Sequence, residues 1–221
     1  MTRSFGRAFA RAPLRFATLG AAWLCSAPAA ALPLISEVLY DPTGPDNAFV
    51  FVELWGAPGT VLDGFVLEGV NGADGAVTPS VPLTGTIPGD GFFVVADDDG
   101  SGATGVANAD LVVNFDLQNG PDSLVLRDAG DVVLDALGYG AFLAGEIFAG
   151  EGTPAPDPPS GSSLARVFAD VDTDDNFADF VELAAPTPGV GPTSVPEPGA
   201  GGLFAAALGS VALIRRRSRR R

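Results

Sequence analysis

The chain has no His and no Lys, one Cys and one Met, and its twelve basic residues are all Arg. Each absence removes a class of chemistry. Without His there is no Ser-His-Asp triad, no Cys-His pair and no His-ligated zinc site. Without Lys there is no Schiff base and no P-loop lysine. A single Cys closes no intramolecular disulfide. Long helices are disfavoured as well, because 29 Gly and 19 Pro among 221 residues call for many turns. Mean hydropathy is nevertheless positive, so this is not a disordered acidic polymer. The length suits one ordinary domain or two small ones.

What charge there is lies unevenly. The whole chain carries −15, but residues 32–194 hold 26 Asp and Glu against only Arg127 and Arg166, a net −24. The other ten Arg sit at the two ends. Such an acidic field repels nucleic acid and anionic lipid. It suits solubility in salt, or divalent cations that bridge to polysaccharide.

The N-terminus has the three parts of a secretory signal peptide over residues 1–31. Arg3, Arg7, Arg11 and Arg15 form a positive stretch, Phe16 to Cys25 an apolar run, and Ser26 to Ala31 a small-residue end. Ala29 and Ala31 satisfy the A-x-A rule for signal peptidase, with cleavage after Ala31. The apolar run is too short to span a bilayer comfortably. The competing reading is a buried N-terminal helix. Leu24 precedes Cys25 where a lipoprotein needs a small residue, and no adjacent Arg pair marks the twin-Arg route.

At the other end, Gly199 to Ile214 is an uncharged stretch of sixteen residues, followed by Arg215, Arg216, Arg217, Ser218 and three more Arg. As a helix it would be about 24 Å long, slightly short for the hydrocarbon core. The Arg cluster would hold its end on the cytoplasmic side, leaving the body outside. A basic tail for nucleic acid is the alternative, and the adjoining apolar stretch argues against it. Val195, Pro196, Glu197 and Pro198, the apolar segment and the Arg end together resemble a PEP-CTERM sorting signal, residues 193–221. The resemblance implies one transmembrane helix and recognition by an exosortase, a membrane Cys transpeptidase that removes the tail near the motif. It also implies a diderm bacterium that makes exopolysaccharide.

Residues 32–192 show repeated strand signals broken by turns. Leu34 to Tyr40 is an apolar run closed by Asp41-Pro42-Thr43-Gly44-Pro45. In Phe49 to Trp55, Val50, Val52 and Leu54 alternate with Phe49, Phe51, Glu53 and Trp55, as in a half-buried strand. Val61 to Glu68 follows, with Gly64 as a candidate bulge. Phe92 to Ala96 and Leu111 to Phe115 are further strands. Ser123 to Arg127 and Val132 to Leu137 form a hairpin around Asp128-Ala129-Gly130-Asp131. Phe177 to Leu183 is a candidate closing strand. No apolar stripe at helical spacing exceeds two turns. Seven or eight short strands at this spacing predict an all-β sandwich. Residues 150–163 read as a loop, and residues 186–198, with five Pro, as a stiff spacer to the anchor.

The same residues resemble a lamin-tail domain. Leu34-Ile35-Ser36-Glu37-Val38-Leu39-Tyr40-Asp41-Pro42 resembles its opening strand, Phe51-Val52-Glu53-Leu54 its second, and Val61 to Leu67 its third. Ile87 to Ala96 is similar to its next turn and strand. Ser163-Leu164-Ala165-Arg166, Asp172 to Asn176, Asp179-Phe180 and Pro186-Thr187-Pro188-Gly189 look like the close of bacterial members. The resemblance implies an immunoglobulin-like sandwich used as an interaction module, with no settled activity. No nuclease or protease domain accompanies it here.

Three local patterns invite a ligand. Gly100 to Gly105 fits G-x-G-x-x-G, but Asp97, Asp98 and Asp99 before it would repel a pyrophosphate, and no amphipathic helix follows. Asp170, Asp172, Asp174 and Asp175 alternate like a Ca²⁺ loop, though without the Gly and Glu of an EF-hand. The plain alternative is a solvated turn whose Asp side chains accept nearby N–H groups. Near pairs among 26 acids are expected without any glycosidase. Arg127 and Arg166 fit ion pairs better than anion sites. The sequence therefore predicts a non-enzymatic structural or interaction module, without cofactor unless Ca²⁺ is bound. It passes through the inner membrane to the cell surface or matrix. Its processing partners are signal peptidase and exosortase, and its possible partners outside are exopolysaccharide or surface proteins, not nucleic acid. A Ca²⁺-dependent carbohydrate-binding module is the second reading and a carboxylate hydrolase the third.

Overall fold

The computed structural model describes residues 31–191. The signal-peptide residues up to position 30, with Ala29, lie outside them, as do Val195 to Pro198 and Arg215 to Arg217. Within them the chain forms ten strands and one helical turn. The strands are β1 (Leu34–Leu39), β2 (Phe51–Trp55), β3 (Val66–Asn71), β4 (Val77–Pro82) and β5 (Phe92–Asp97). Then follow β6 (Leu111–Val113), β7 (Asp122–Arg127), β8 (Val133–Tyr139), β9 (Ser163–Arg166), α1 (Asn176–Asp179) and β10 (Phe180–Leu183). Among the described residues no helix is long and apolar enough to cross a membrane.

Two sheets form an all-β sandwich. The first has the order β10-β9-β1-β2-β5-β6 and the second β4-β3-β7-β8. The chain changes sheet after each pair of strands up to β8, then returns to the first sheet for β9 and β10. All pairings are antiparallel except β5 with β6. Period two explains the core. Ile35, Val38, Val52, Leu54, Phe93 and Val95 face inward from the first sheet, against Leu67, Leu124, Leu126 and Leu137 of the second. Tyr40 stacks on Tyr139 across the sandwich, ring centroids 4.2 Å apart.

Four differences from the expected layout have local causes. There are ten strands rather than seven or eight, because β4 and β9 are also present. β4 contains Pro79 and Pro82, which a sheet edge tolerates. Gly64 is no bulge: it sits at φ +87° in the turn before β3, and the register shifts fall elsewhere, as between Ile35 and Glu37. Phe177 to Asp179 are helical rather than extended, because the Asp175 side chain accepts from the Phe177 N–H and starts a turn.

The fourth difference bears on function. β2 is not half-buried. Its outward residues Phe51 and Glu53 are as buried as the inward ones. The crossover of residues 98–110 covers part of that face, where Val106 packs on Leu39, Phe51 and Val94. Residues 186–191 cover more of it. The first part of the expected spacer is therefore a strap laid across the sheet.

Candidate functional site

The strap is held by two glutamates. The register shift in β1 brings Glu37 opposite Glu53 on the outward face. Both are fully buried. Glu37 Oε1 accepts from the Ser163 hydroxyl at 2.6 Å and the Thr187 N–H at 2.9 Å, and its Oε2 accepts from the Thr187 hydroxyl at 2.8 Å. Glu53 accepts from the Ser36 hydroxyl at 2.6 Å and the Gly189 N–H at 2.7 Å. Burial pushes the Glu53 carboxyl up to about 7; the Ser36 and Gly189 bonds restrain that rise, and the Glu37 charge adds to it. Between strap and crossover lies an open apolar hollow of about 380 Å³, with Leu39, Phe49, Phe51, Val106, Pro186 and Pro188 in its wall.

The second constellation closes the open side of the sandwich. Arg166 projects inward from β9 and is buried, 1% exposed. Its Nη2 donates to both oxygens of Asp135 on β8, at 3.0 and 2.9 Å. Nε donates to the Ile35 carbonyl, and Nη1 to the Val171 carbonyl, Asp179 and Asp172, the last at 3.4 Å. Its guanidinium stands 4.6 Å above the Phe180 ring. Asp135 also accepts from the Ile35 N–H at 2.6 Å, and Asp179 from the Thr173 N–H and hydroxyl. One cation thus ties both sheets and the 171–179 segment.

Asn176 completes this side. Its amide donates to the Ala136 carbonyl and accepts from the N–H groups of Gly138 and Glu151, standing in for a neighbouring strand at the edge of β8. This draws Glu151 in. Its Oε2 is buried and lacks a hydrogen-bond partner. Burial pushes its carboxyl up to about 7, with the charges of Asp135, Asp172 and Asp174 adding to the rise and Arg166 opposing it.

The Asp170–Asp175 loop is only partly assembled as a site. Asp172 accepts from Arg166 and from the Asp174 N–H. Asp175 caps α1 and accepts from the Thr153 N–H. Asp174 is exposed at φ +56°, and Asp170 is half-buried. Among the described residues, the carboxylates near enough to share one ion are Asp135, Glu151 and Asp172. Asp172 is the only member taken from that loop. In the acidic run before the Gly-rich loop, Asp97 accepts from the Ala48 and Phe115 N–H groups, Asp98 from Gly100, and Asp99 from Ser101 and Ala103.

Asp135 and Glu151 were not singled out from sequence. A signal existed for Asp135: in Val133-Leu134-Asp135-Ala136-Leu137 it shares the core-facing parity of Leu137. Glu151 gives none, because it stands in an irregular loop. Arg127, by contrast, pairs with Glu68 at 2.9 Å and with Asp131 at 3.7 Å in a part-exposed setting. Arg127→Ala is expected to change stability by less than about 1 kcal/mol in urea unfolding. A loss above about 2 kcal/mol would show the pair to be structural.

No family model matches the sequence, and searches among curated proteins and solved structures return no match.

Proposed function

We propose that the chain is an exported, non-enzymatic structural or interaction module of the lamin-tail, immunoglobulin-like type. Signal peptidase cuts after Ala31. An exosortase recognises Val195 to Pro198 while the apolar helix and Arg215, Arg216 and Arg217 hold the tail in the inner membrane. The product reaches the cell surface or matrix of a diderm bacterium.

The observation that supports this reading is where the first strand and the strap lie in the sheet. Leu34 pairs with Trp55, and Trp55 with Phe92, in one row across the first sheet. The strap reaches that row at Gly191, where a Cβ would run into the Phe92 ring. Both ends that carry addresses therefore leave from one end of the sandwich. The buried carboxylates Glu37, Asp97, Asp135 and Asp179 are each engaged by backbone or side-chain donors, as structural groups are. The hollow on the outer face is apolar, and sugar hydroxyls would find few partners in it.

Replacing Pro196, Glu197 and Pro198 with Ala is expected to leave a membrane-retained precursor. Intact-mass measurement of membrane, surface and medium fractions reads this directly. The parent should show cuts near Ala31 and Pro196. A variant processed and released like the parent would remove the sorting reading.

A further inference from the structure

We infer that the apolar hollow on the outer face of the first sheet is a docking site for a basic peptide segment, which seats one aromatic or large aliphatic side chain between the strap and the 98–110 crossover. The inference rests on the proposed reading of the domain as a non-enzymatic interaction module, whose contact surface it names, and not on the sorting steps.

The hollow is held open by its walls. Leu39 and Phe51 form its floor, Pro186 and Pro188 one wall, and Val106 and Ala107 another. Phe49 lines it while still 44% exposed. A Cβ on Gly105 would run into the Phe49 ring, so the ring packs directly on the crossover backbone. Ala48, the residue before, stands at φ +72°, a conformation that a residue with a side chain seldom takes. Its surroundings hold it there. Asp97 accepts from its N–H, and its carbonyl accepts from the Gly105 N–H and the Thr104 hydroxyl. The Asn108 amide donates to the Pro188 carbonyl and ties the crossover to the strap. Both walls are thus fixed before any partner arrives, so seating a side chain between them costs little ordering. A volume of about 380 Å³ lies within the range of ligand sites, which are mostly apolar and largely pre-formed.

Charge selects the partner. The loops 40–49 and 98–110, which wall the hollow, carry Asp41, Asp46, Asp98, Asp99 and Asp110 and no basic residue. The strap adds none. Burial and the charges of Asp116, Asp41 and Asp97 hold the Asp46 carboxyl above its ordinary value, so these acids stand close enough to feel one another. The two cations of the domain are engaged elsewhere: Arg127 pairs with Glu68, and Arg166 is enclosed with Asp135 and Asp179. A cationic segment is therefore drawn to this face, and an anionic segment or lipid surface is repelled. A second copy would bring the same −24 of residues 32–194 to the contact. A sugar would find few hydrogen-bond partners in apolar walls. What satisfies both the walls and the field is an apolar anchor flanked by Arg or Lys.

The test is fluorescence anisotropy of labelled pentapeptides with the full chain in phosphatidylcholine nanodiscs, empty nanodiscs serving as the blank. The probes are Arg-Arg-Phe-Arg-Arg, Arg-Arg-Ala-Arg-Arg and Glu-Glu-Phe-Glu-Glu. The Phe probe with Arg flanks is expected to bind about tenfold more tightly than its Ala counterpart, as one buried aromatic side chain allows, and the Glu probe not to bind. Roughly 0.5 M NaCl should weaken the binding. Ala107→Trp and Thr43→Trp each place an indole in the hollow from an exposed position and should weaken binding about tenfold. Val61→Trp, exposed outside the hollow, should bind like the parent. A variant whose urea midpoint matches that of the parent is folded, so its loss of binding reports the hollow. Equal binding of the Phe and Ala probes, or binding kept in both hollow variants, overturns the site. A dimer in sedimentation that Ala107→Trp splits would give the hollow to a second copy and overturn the proposal as well. Mass spectrometry of the recovered probe separates two failures. An intact, unbound probe removes the docking site alone, and a cut probe removes the non-enzymatic reading and the docking with it.

Discussion

Replacing Arg166 by Met is expected to cost roughly 3–5 kcal/mol of folding stability, a large part of what a domain of this size has. Urea unfolding followed by Trp fluorescence measures it. The cost does not come from a lost attraction alone. Asp135 and Asp179 are buried, and without the guanidinium their charges stay in the interior uncompensated. The Ile35 and Val171 carbonyls lose their donor as well. Met fills the volume over Phe180 but supplies none of those bonds. Arg166→Lys should not rescue the fold, because an ammonium cannot present Nε to Ile35 and Nη2 to both Asp135 oxygens at once. Adding Asp135→Asn to Arg166→Met should recover part of the loss, since it removes the stranded charge. A single variant within about 1 kcal/mol of the parent would show that the cluster does not hold the sheets together.

How much of this was legible in the sequence follows from how local each signal is. β1, β2, β5, β7 and β8 lie close to their expected ranges because apolar runs bounded by turn residues, and in β2 an alternation, mark them locally. The Asp128–Asp131 hairpin is equally local: the Asp128 side chain accepts from Gly130 and Val132, and Asp131 takes positive φ. β9 was hidden because four residues are too few to show a period. β4 was hidden because its Pro residues usually demote a strand. The strap was misjudged for a different reason. Its Pro content does make it stiff, but its partners Glu37 and Glu53 lie 150 and 136 residues earlier in the chain. The Asp170–Asp175 pattern showed oxygens at the right alternation and nothing about where they point. Asp175 caps α1, Asp174 is exposed, and Asp172 accepts from Arg166 and from the Asp174 N–H, so the four are not gathered on one point. Arg166 could be placed in an ion pair by scarcity, since the domain has one other cation, but Asp135 could be paired with it only in three dimensions.

Glu53 makes stability depend on pH in the direction opposite to ordinary acid denaturation. Its carboxyl stands near 4.5 in the unfolded chain and about 7 in the fold. The folded state therefore binds the extra proton between those values, and the stability it contributes is complete below about 4.5 and lost as pH rises through about 7. A shift of that size is worth about 3 kcal/mol. The physical reason is burial first: the carboxyl lies out of water beneath the strap, and the charge of Glu37 opposite it adds a smaller push in the same direction. Glu53→Gln mimics the protonated acid, keeping an acceptor for the Gly189 N–H and a donor for the Ser36 oxygen. It should match the parent at pH 5 and exceed it at pH 8, measured as unfolding free energy in urea at each pH. Glu151 titrates over the same range, so the difference between variant and parent is the quantity to read. An unchanged difference from pH 5 to 8 would mean that Glu53 stays ionised under the strap. A difference that grows as expected shows that Glu53 holds its proton in the fold and that the sheet beneath residues 186–191 is weakened as the pH rises.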